Sequence, residues 1–235
     1  MLVKLDDRLK AVAGLVLPGR VAADIGTDHN YLPVFLVQNG ICQQVIASDR
    51  SSGPYRNAAA LVARLNLASS IDVRLGEGLE VLKPGEAATI IIAGMGGRLL
   101  IDILAAAPAV LQAAERLVLQ PQKDLPLLRY WLTGHGWRII REEIAFDSGF
   151  YYTIVAAEHG RMELSPEQAE FGPCLLAERP PLWEQYLRYR LGDIDQLLEK
   201  LSSHASREIS ERKQYLQQER NQIANLLAQK PLDKR

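Results

Sequence analysis

Asp24 and Asp28 stand on either side of Gly26 in the stretch R-V-A-A-D-I-G-T-D-H-N-Y-L-P (residues 20–33), with His29 beside the second acid and Tyr31 two residues on. Val21, Ala22 and Ala23 form a short apolar run that ends in Asp24, and helix-competent sequence resumes from Tyr31 to Gln38. This is the grammar of a buried parallel strand, a tight turn and a helix start, and open α/β sheets bind ligands at such carboxyl ends. Gly26 lets the backbone turn sharply and approach a ligand, and the free N–H groups of the next helix would face it. A phosphate-cradling fingerprint reads G-x-G-x-x-G, but Thr27, Asp28 and His29 occupy the positions where its later glycines would stand. Two carboxylates suit a cation instead, such as the sulfonium and amino group of S-adenosylmethionine. Taken alone, the stretch also fits an ordinary turn with Asp24 as a helix cap.

Four further strand ends carry polar or glycine-rich residues. Asp49 closes the run Gln44–Ser48, about twenty-five residues beyond Asp24, where an acid accepts hydrogen bonds from the hydroxyls of an adenosine ribose. Gly76-Glu77-Gly78-Leu79 follows Ile71–Leu75, where a polar residue would meet an adenine amino group; a plain turn explains the pattern equally. Ala93-Gly94-Met95-Gly96-Gly97 follows the strongly apolar run Ala88–Ala93, and its three glycines remove side chains where a planar group could slide in. Gln120-Pro121-Gln122 follows Arg116–Gln120, with Lys123 and Arg129 next. Its amides could read a base edge and Lys123 could meet a phosphate, while an edge-of-sheet loop fits as well. Tyr31 and Tyr55 are candidate stacking partners for a base, or core residues at helix starts.

The elements that must position these groups alternate. Helices are expected over residues 3–15, 31–39, 53–66, 97–107 and 125–134, with strands between them and a closing hairpin of Trp137–Phe146 and Phe150–Glu158 turning at Asp147-Ser148-Gly149. Five β/α units closed by a hairpin predict a mostly parallel α/β sheet of seven strands, with helices on both faces. Beyond residue 160 the character changes. Leu187, Leu191, Ile194, Leu197, Leu198 and Leu201, and then Ile209, Leu216, Ile223, Leu226 and Leu227, recur at helical spacing and predict an antiparallel helical hairpin. The chain is thus divided into residues 1–160 and 161–235.

With 235 residues, 48% of them hydrophobic and 23% charged, and a net charge of −1, the chain reads as globular, with no overall basic signal for nucleic acid. Basic residues of the last helices, among them Arg188, Arg190, Arg207 and Arg220, are interleaved with acids as on a solvated face. Cys42 and Cys174 lack any C-x-x-C spacing and read as reduced structural thiols. No run is long and apolar enough to span a membrane, and residues 3–15 read as a packed helix rather than a targeting segment, so a cytoplasmic location is expected.

Several of these motifs together resemble the bacterial tRNA (adenine-22 N1) methyltransferases of the TrmK type. They are D-I-G-T-D-H-N-Y-L-P (24–33), A-S-D-R-S-S-G-P (47–54), I-I-A-G-M-G-G (91–97), L-Q-P-Q (119–122), L-R-Y-W-L-T-G-H-G-W (128–137) and G-F-Y-Y-T-I (149–154). One departure is Gln122, where the family pattern has asparagine. The resemblance implies a Rossmann-like S-adenosylmethionine domain followed by a coiled-coil-like hairpin, a tRNA substrate and no metal. It would place Asp24, Gly26 and Asp28 by the methionine portion, Asp49 at the ribose, and Glu77 and Gly78 near the adenine, with Thr27 and Arg50 also in the cofactor site. Ala93, Gly94 and Met95 would complete the cofactor site. Gly96, Gly97, Gln120, Gln122 and Lys123 would meet the substrate, and Asp28, with His29 or Tyr31, would orient the target adenine. Other readings are a methyltransferase acting on another RNA or a small molecule, a non-catalytic RNA-binding protein on this fold, and a nicotinamide dehydrogenase.

Overall fold

The computed structural model describes residues 2–27, 31–202 and 206–229. Residues up to Ala177 form one compact unit and residues from Glu178 a second.

In the first unit, α1 (Asp7–Gly14) precedes β1 (Ala22–Ile25), α2 (Tyr31–Gln38), β2 (Val45–Asp49), α3 (Ser52–Arg64) and β3 (Ile71–Leu75). A 3-10 turn at Gly78–Val81 leads to β4 (Thr89–Met95), α4 (Gly97–Ala105), α5 (Pro108–Ala113), β5 (Arg116–Pro121) and α6 (Leu125–Gly134). The hairpin β6 (Trp137–Asp147) and β7 (Phe150–His159) is followed by α7 (Pro166–Phe171) and α8 (Pro173–Glu178). The seven strands lie in the order β3-β2-β1-β4-β5-β7-β6, with β1 to β5 parallel and β7 antiparallel to both its neighbours. This is the architecture of S-adenosylmethionine-dependent methyltransferases, as expected from the pattern of elements.

The central strands are buried on both faces because helices cover both. Ile90 and Ile92 of β4 pack with Leu100, Leu104, Leu128 and Leu132 on one side. Ile91, between them, packs with Val12, Leu32 and Leu36 of α1 and α2 on the other, the alternation a pleated strand requires. The helix expected over 97–107 stops at Ala105. Pro108 disfavours the helical conformation for Ala107, which sits at φ −129°, and opens α5 as its own N-terminal residue. At the β6–β7 turn Ser148 and Gly149 both have positive φ (49° and 88°), the conformation of a tight two-residue hairpin loop.

Residues 161–177, grouped with the helical hairpin on sequence grounds, lie with the sheet unit. α7 opens on a reciprocal cap between Ser165 and Gln168. Behind it Arg129 and Glu142 form a fully buried ion pair at 2.8 Å. Arg129 also donates to the carbonyls of Ala169 and Glu170, and Glu142 accepts from the N–H of Cys174 at 3.0 Å. Gly172 (φ 96°) passes so close that a Cβ there would lie 2.4 Å from the Glu142 carboxylate.

The second unit pairs α9 (Trp183–Leu201) with α10 (Arg207–Ala228), α10 being capped by the Ser206 side chain at Ile209 N–H. Leu187, Ile194, Leu216 and Ile223 are buried, and the contacts Arg190–Glu219 and Ser202–Lys213 step in opposite directions along the two helices, the antiparallel sense. The expected break at Ser202-Ser203 falls partly outside the described residues.

Candidate active site

Two cavities open at the carboxyl ends of β1, β2, β3 and β4, and Gly26 and Met95 border both. Gly26 has φ +80°, which side-chain-bearing residues rarely adopt, and a Cβ there would lie 2.2 Å from the Met95 methyl carbon, so a larger residue would strain the turn and displace the Met95 side chain. The Gly26 and Thr27 N–H groups donate to Ser48 O on the neighbouring strand, fixing the turn to β2.

The smaller cavity, about 300 Å³, lies over β2 and β3. Asp49, Arg50, Glu77 and Gly78 border it together with Ile25, Pro54, Leu99 and Ile103. Asp49 Oδ1 accepts from Ser51 N–H at 2.7 Å, which turns the chain into α3. Arg50 and Glu77, both well exposed, approach to 3.9 Å across the mouth. Gly78 (φ +52°) brings the backbone against Ile103, where a Cβ would stand 3.2 Å from the nearest methyl. An acid at one end, a second carboxylate across from it and an apolar floor fit a ribose and a flat base, so the chemistry of these side chains matches an adenosine.

The larger cavity, about 520 Å³, lies over β1 and β4. Asp24, Thr27, Tyr31, Ala93, Gly94 and Gln122 border it. Asp24 is buried, and that desolvation pushes its carboxyl up to about 6; the Thr27 hydroxyl and the Arg8 charge pull the other way. A carboxylate held this far from water is poised to receive a cation. Asp28 and His29, the other groups expected here, lie outside the described residues.

This cavity also contains residues that no local pattern announced. Asp6, Arg8 and Leu9 come from α1, and Tyr152 from β7. The Arg8 guanidinium sits 5.6 Å above the Tyr152 ring and 3.8 Å from Asp6. Its Nη1 donates to Gln120 Oε1 at 3.1 Å. The same oxygen accepts from Gly94 N–H at 3.1 Å, and Gln120 Nε2 donates to Pro121 O at 3.0 Å. Gln120 is thus fully buried with its amide spent inside the protein, and it borders neither cavity.

Gly96 and Gly97 do not border the two cavities either. Their missing side chains admit the loop after β5. A Cβ on Gly97 would stand 2.7 Å from Asp124 O, and one on Gly96 3.0 Å from the Lys123 side chain. Gly97 N–H donates to Lys123 O and Gln122 N–H to Met95 O, locking the two loops together. Lys123 is exposed, and Tyr55 borders neither cavity. Among the described residues no cluster of three His, Cys, Asp or Glu is placed to hold a metal ion, and no helix is long and apolar enough to cross a membrane.

Comparison with known proteins shows the family. The family of tRNA (adenine(22)-N(1))-methyltransferases, TrmK, matches residues 22–225. The tRNA (adenine(22)-N(1))-methyltransferase of Bacillus subtilis is 36% identical over 217 residues, 90% of this chain and 91% of that protein. The Streptococcus pneumoniae protein Sp1610, solved in complex with S-adenosyl-L-methionine, superposes with a TM-score of 0.85 at 35% identity, covering 95% of this chain and all of that one. Mycoplasma capricolum TrmK, solved with S-adenosyl-homocysteine, superposes with a TM-score of 0.80 at 25% identity, over 95% of this chain and 97% of that one. The chain belongs to the TrmK family of tRNA (adenine(22)-N(1))-methyltransferases.

Proposed function

We propose that this S-adenosylmethionine-dependent tRNA (adenine(22)-N(1))-methyltransferase binds its cofactor across both cavities, with the reacting centre beside Gly26 and Met95. The observation that carries this reading is the pair of acids in the two cavities, Asp24 and Asp49, on either side of the one turn both cavities share. Bound there, S-adenosyl-L-methionine supplies an electrophilic methyl group on a sulfonium. Asp24 faces the positive methionine portion with an ionised carboxylate. Asp49 accepts the ribose hydroxyls, and Arg50, Glu77 and Gly78 frame the adenine.

Adenine N1 already carries a lone pair, so the residues around the methyl need to align it rather than to remove a proton. The methylated base is a cation at neutral pH, and an acid nearby stabilises it; Asp28 is assigned that role, with His29 or Tyr31 orienting the ring. Because N1 lies on the pairing edge, the target base must leave its stack before it can enter. Tyr31, half exposed at the cavity wall, and Gln122 stand where such a base would arrive, with Lys123 beside them for phosphate. Gly94 to Gly97 hold this loop in place. Cofactor binding belongs to the sheet unit, and action on tRNA places the protein in the cytoplasm.

Incubating the protein with labelled S-adenosyl-L-methionine and unmodified tRNA, followed by nucleoside mass spectrometry, tests the reading. The expected product is 1-methyladenosine that disappears when adenine-22 is replaced. Methylation that persists after that replacement, or that appears only on other RNAs, would overturn it.

A further inference from the structure

The hairpin β6–β7 does not end where the sheet ends. Leu119 is the last residue of β5 with a partner on β7, namely Val155, whereas β7 begins at Phe150. Residues 150–154 and their partners on β6 therefore run on as a two-stranded ribbon, about 16 Å beyond that last pair at ~3.3 Å per residue. A bare two-stranded ribbon is marginal by itself, and this one carries large apolar side chains at its tip. Phe150 is 56% exposed and Phe146 44% exposed. Phe146 leans on Tyr151 with ring centroids 4.7 Å apart. Phe150 and Tyr152 alternate on one face of β7, and Tyr152 borders the larger cavity under the Arg8 guanidinium. Phe146, paired with Tyr151, therefore lies on the opposite face of the ribbon, and Tyr152 and Phe150 alone step from the wall of the cavity to the ribbon's end, where no core explains Phe150.

The position answers a need of the reaction. Drawing the target adenine out of its stack leaves the neighbouring bases with an exposed face, and enzymes that take a base out of its stack offset that loss with apolar or aromatic contacts. Exposed Arg98 and Lys123 beside the glycine loop suit a phosphate backbone, while Arg8 and Lys10 on α1, which packs against both strands of the ribbon, are paired with Asp6 and Asp7. The one acid at the tip, Asp147, is engaged by the Ser148 hydroxyl at 2.8 Å.

We propose that Phe150, at the tip of the β6–β7 ribbon on the face that carries Tyr152, is a nucleobase-stacking platform that receives a tRNA base next to the target adenine. This rests on the tRNA reading above and extends it to a surface outside the cofactor cavities. Phe150→Ala should raise KM for tRNA about tenfold, the scale of one lost base–aromatic stack, whereas Phe146→Ala, on the opposite face, should stay within about twofold of the parent. KM for S-adenosyl-L-methionine and the thermal midpoint should stay at the parent values. Phe150→Trp should restore tRNA binding. Tyr130→Ala, an exposed aromatic midway along α6, serves as the control and should change nothing. In a binding assay with tRNA carrying 2-aminopurine beside the target position, fluorescence should be lower with the parent than with Phe150→Ala. A Phe150→Ala variant within twofold of the parent, a Phe146→Ala variant as impaired as Phe150→Ala, a tryptophan variant as impaired as alanine, or equal fluorescence with parent and Phe150→Ala would each overturn the proposal. Methylation by the parent in the same assay tests the function reading separately, since a loss confined to the variants can arise only at the ribbon.

Discussion

The two cavities are built on different plans. The smaller one is local: Asp49, Arg50, Glu77 and Gly78 each end a strand or begin the turn that follows it, and the parallel register sets those ends side by side. The larger one is assembled at long range. Gln120 ties Gly94 to Arg8, 112 residues away in sequence, and Tyr152 arrives from the antiparallel hairpin. A local site tolerates loss of one contact, because each side chain is positioned by its own turn. A long-range site transmits the loss to every group that shares the connection.

Asp24 is where this difference should be largest. Asp24→Asn removes the only acid buried beside the shared turn among the described residues, and S-adenosyl-L-methionine affinity should fall about a hundredfold by calorimetry, the scale of a charge-assisted contact in a dry site. The same variant should be more stable without cofactor at neutral pH. A carboxyl raised from 3.8 to about 6 by burial contributes stability that is complete below pH 3.8 and lost as pH rises through 6, on the order of 3 kcal/mol in all. An asparagine that lowers the thermal midpoint would show that this acid is not carried at a cost to the fold. Asp49→Ala, in the local cavity, should raise KM for the cofactor about thirtyfold and leave KM for tRNA unchanged.

The parent's own pH profile sharpens the contrast. Cofactor binding needs the ionised Asp24, so affinity should be flat above pH 6 and fall about tenfold per unit below it, with uptake of a proton from buffer on release of the cofactor. The Asp24→Asn variant should lose that slope, and a slope that survives would move the titration elsewhere. The smallest effect is expected at the strut. Gln120→Ala leaves Gly94 N–H unsatisfied and frees Arg8, and kcat should fall about tenfold with little change in either KM. Gln120→Glu, which keeps the accepting oxygen, should recover most of it. Equal loss in the two variants would make Gln120 a packing residue only.

What the sequence disclosed follows the same division. The turn at Gly26, Asp49 at the end of β2 and Glu77 after β3 were legible because a strand end, a turn and a helix start leave a signature within a few residues. Arg8 was not, since an arginine on an amphipathic helix carries no mark of where that helix docks. Gln120 looked free to read a base because its strand end was plain, but the irregular pairing of β4 with β5 between Ala93 and Met95 was not. That irregularity turns Gly94 N–H toward the Gln120 amide and consumes it. Gly96 and Gly97 promised open space, and the loop after β5 fills it, since glycine marks a close approach without saying what approaches.

The buried pair of Arg129 and Glu142 bears on how this chain can vary. Both side chains grip backbone atoms of residues 169–174, carbonyls on one side and an N–H on the other, so they recognise a path and not a sequence. A substitution in that stretch keeps every one of those bonds as long as Gly172 remains. An insertion or deletion of a single residue would withdraw a carbonyl from Arg129 or the N–H from Glu142 and strand a charge in a dry interior. The segment between the hairpin and α9 should therefore keep its length fixed while its composition drifts at the exposed positions only, since Ala169, Phe171 and Leu175 are buried.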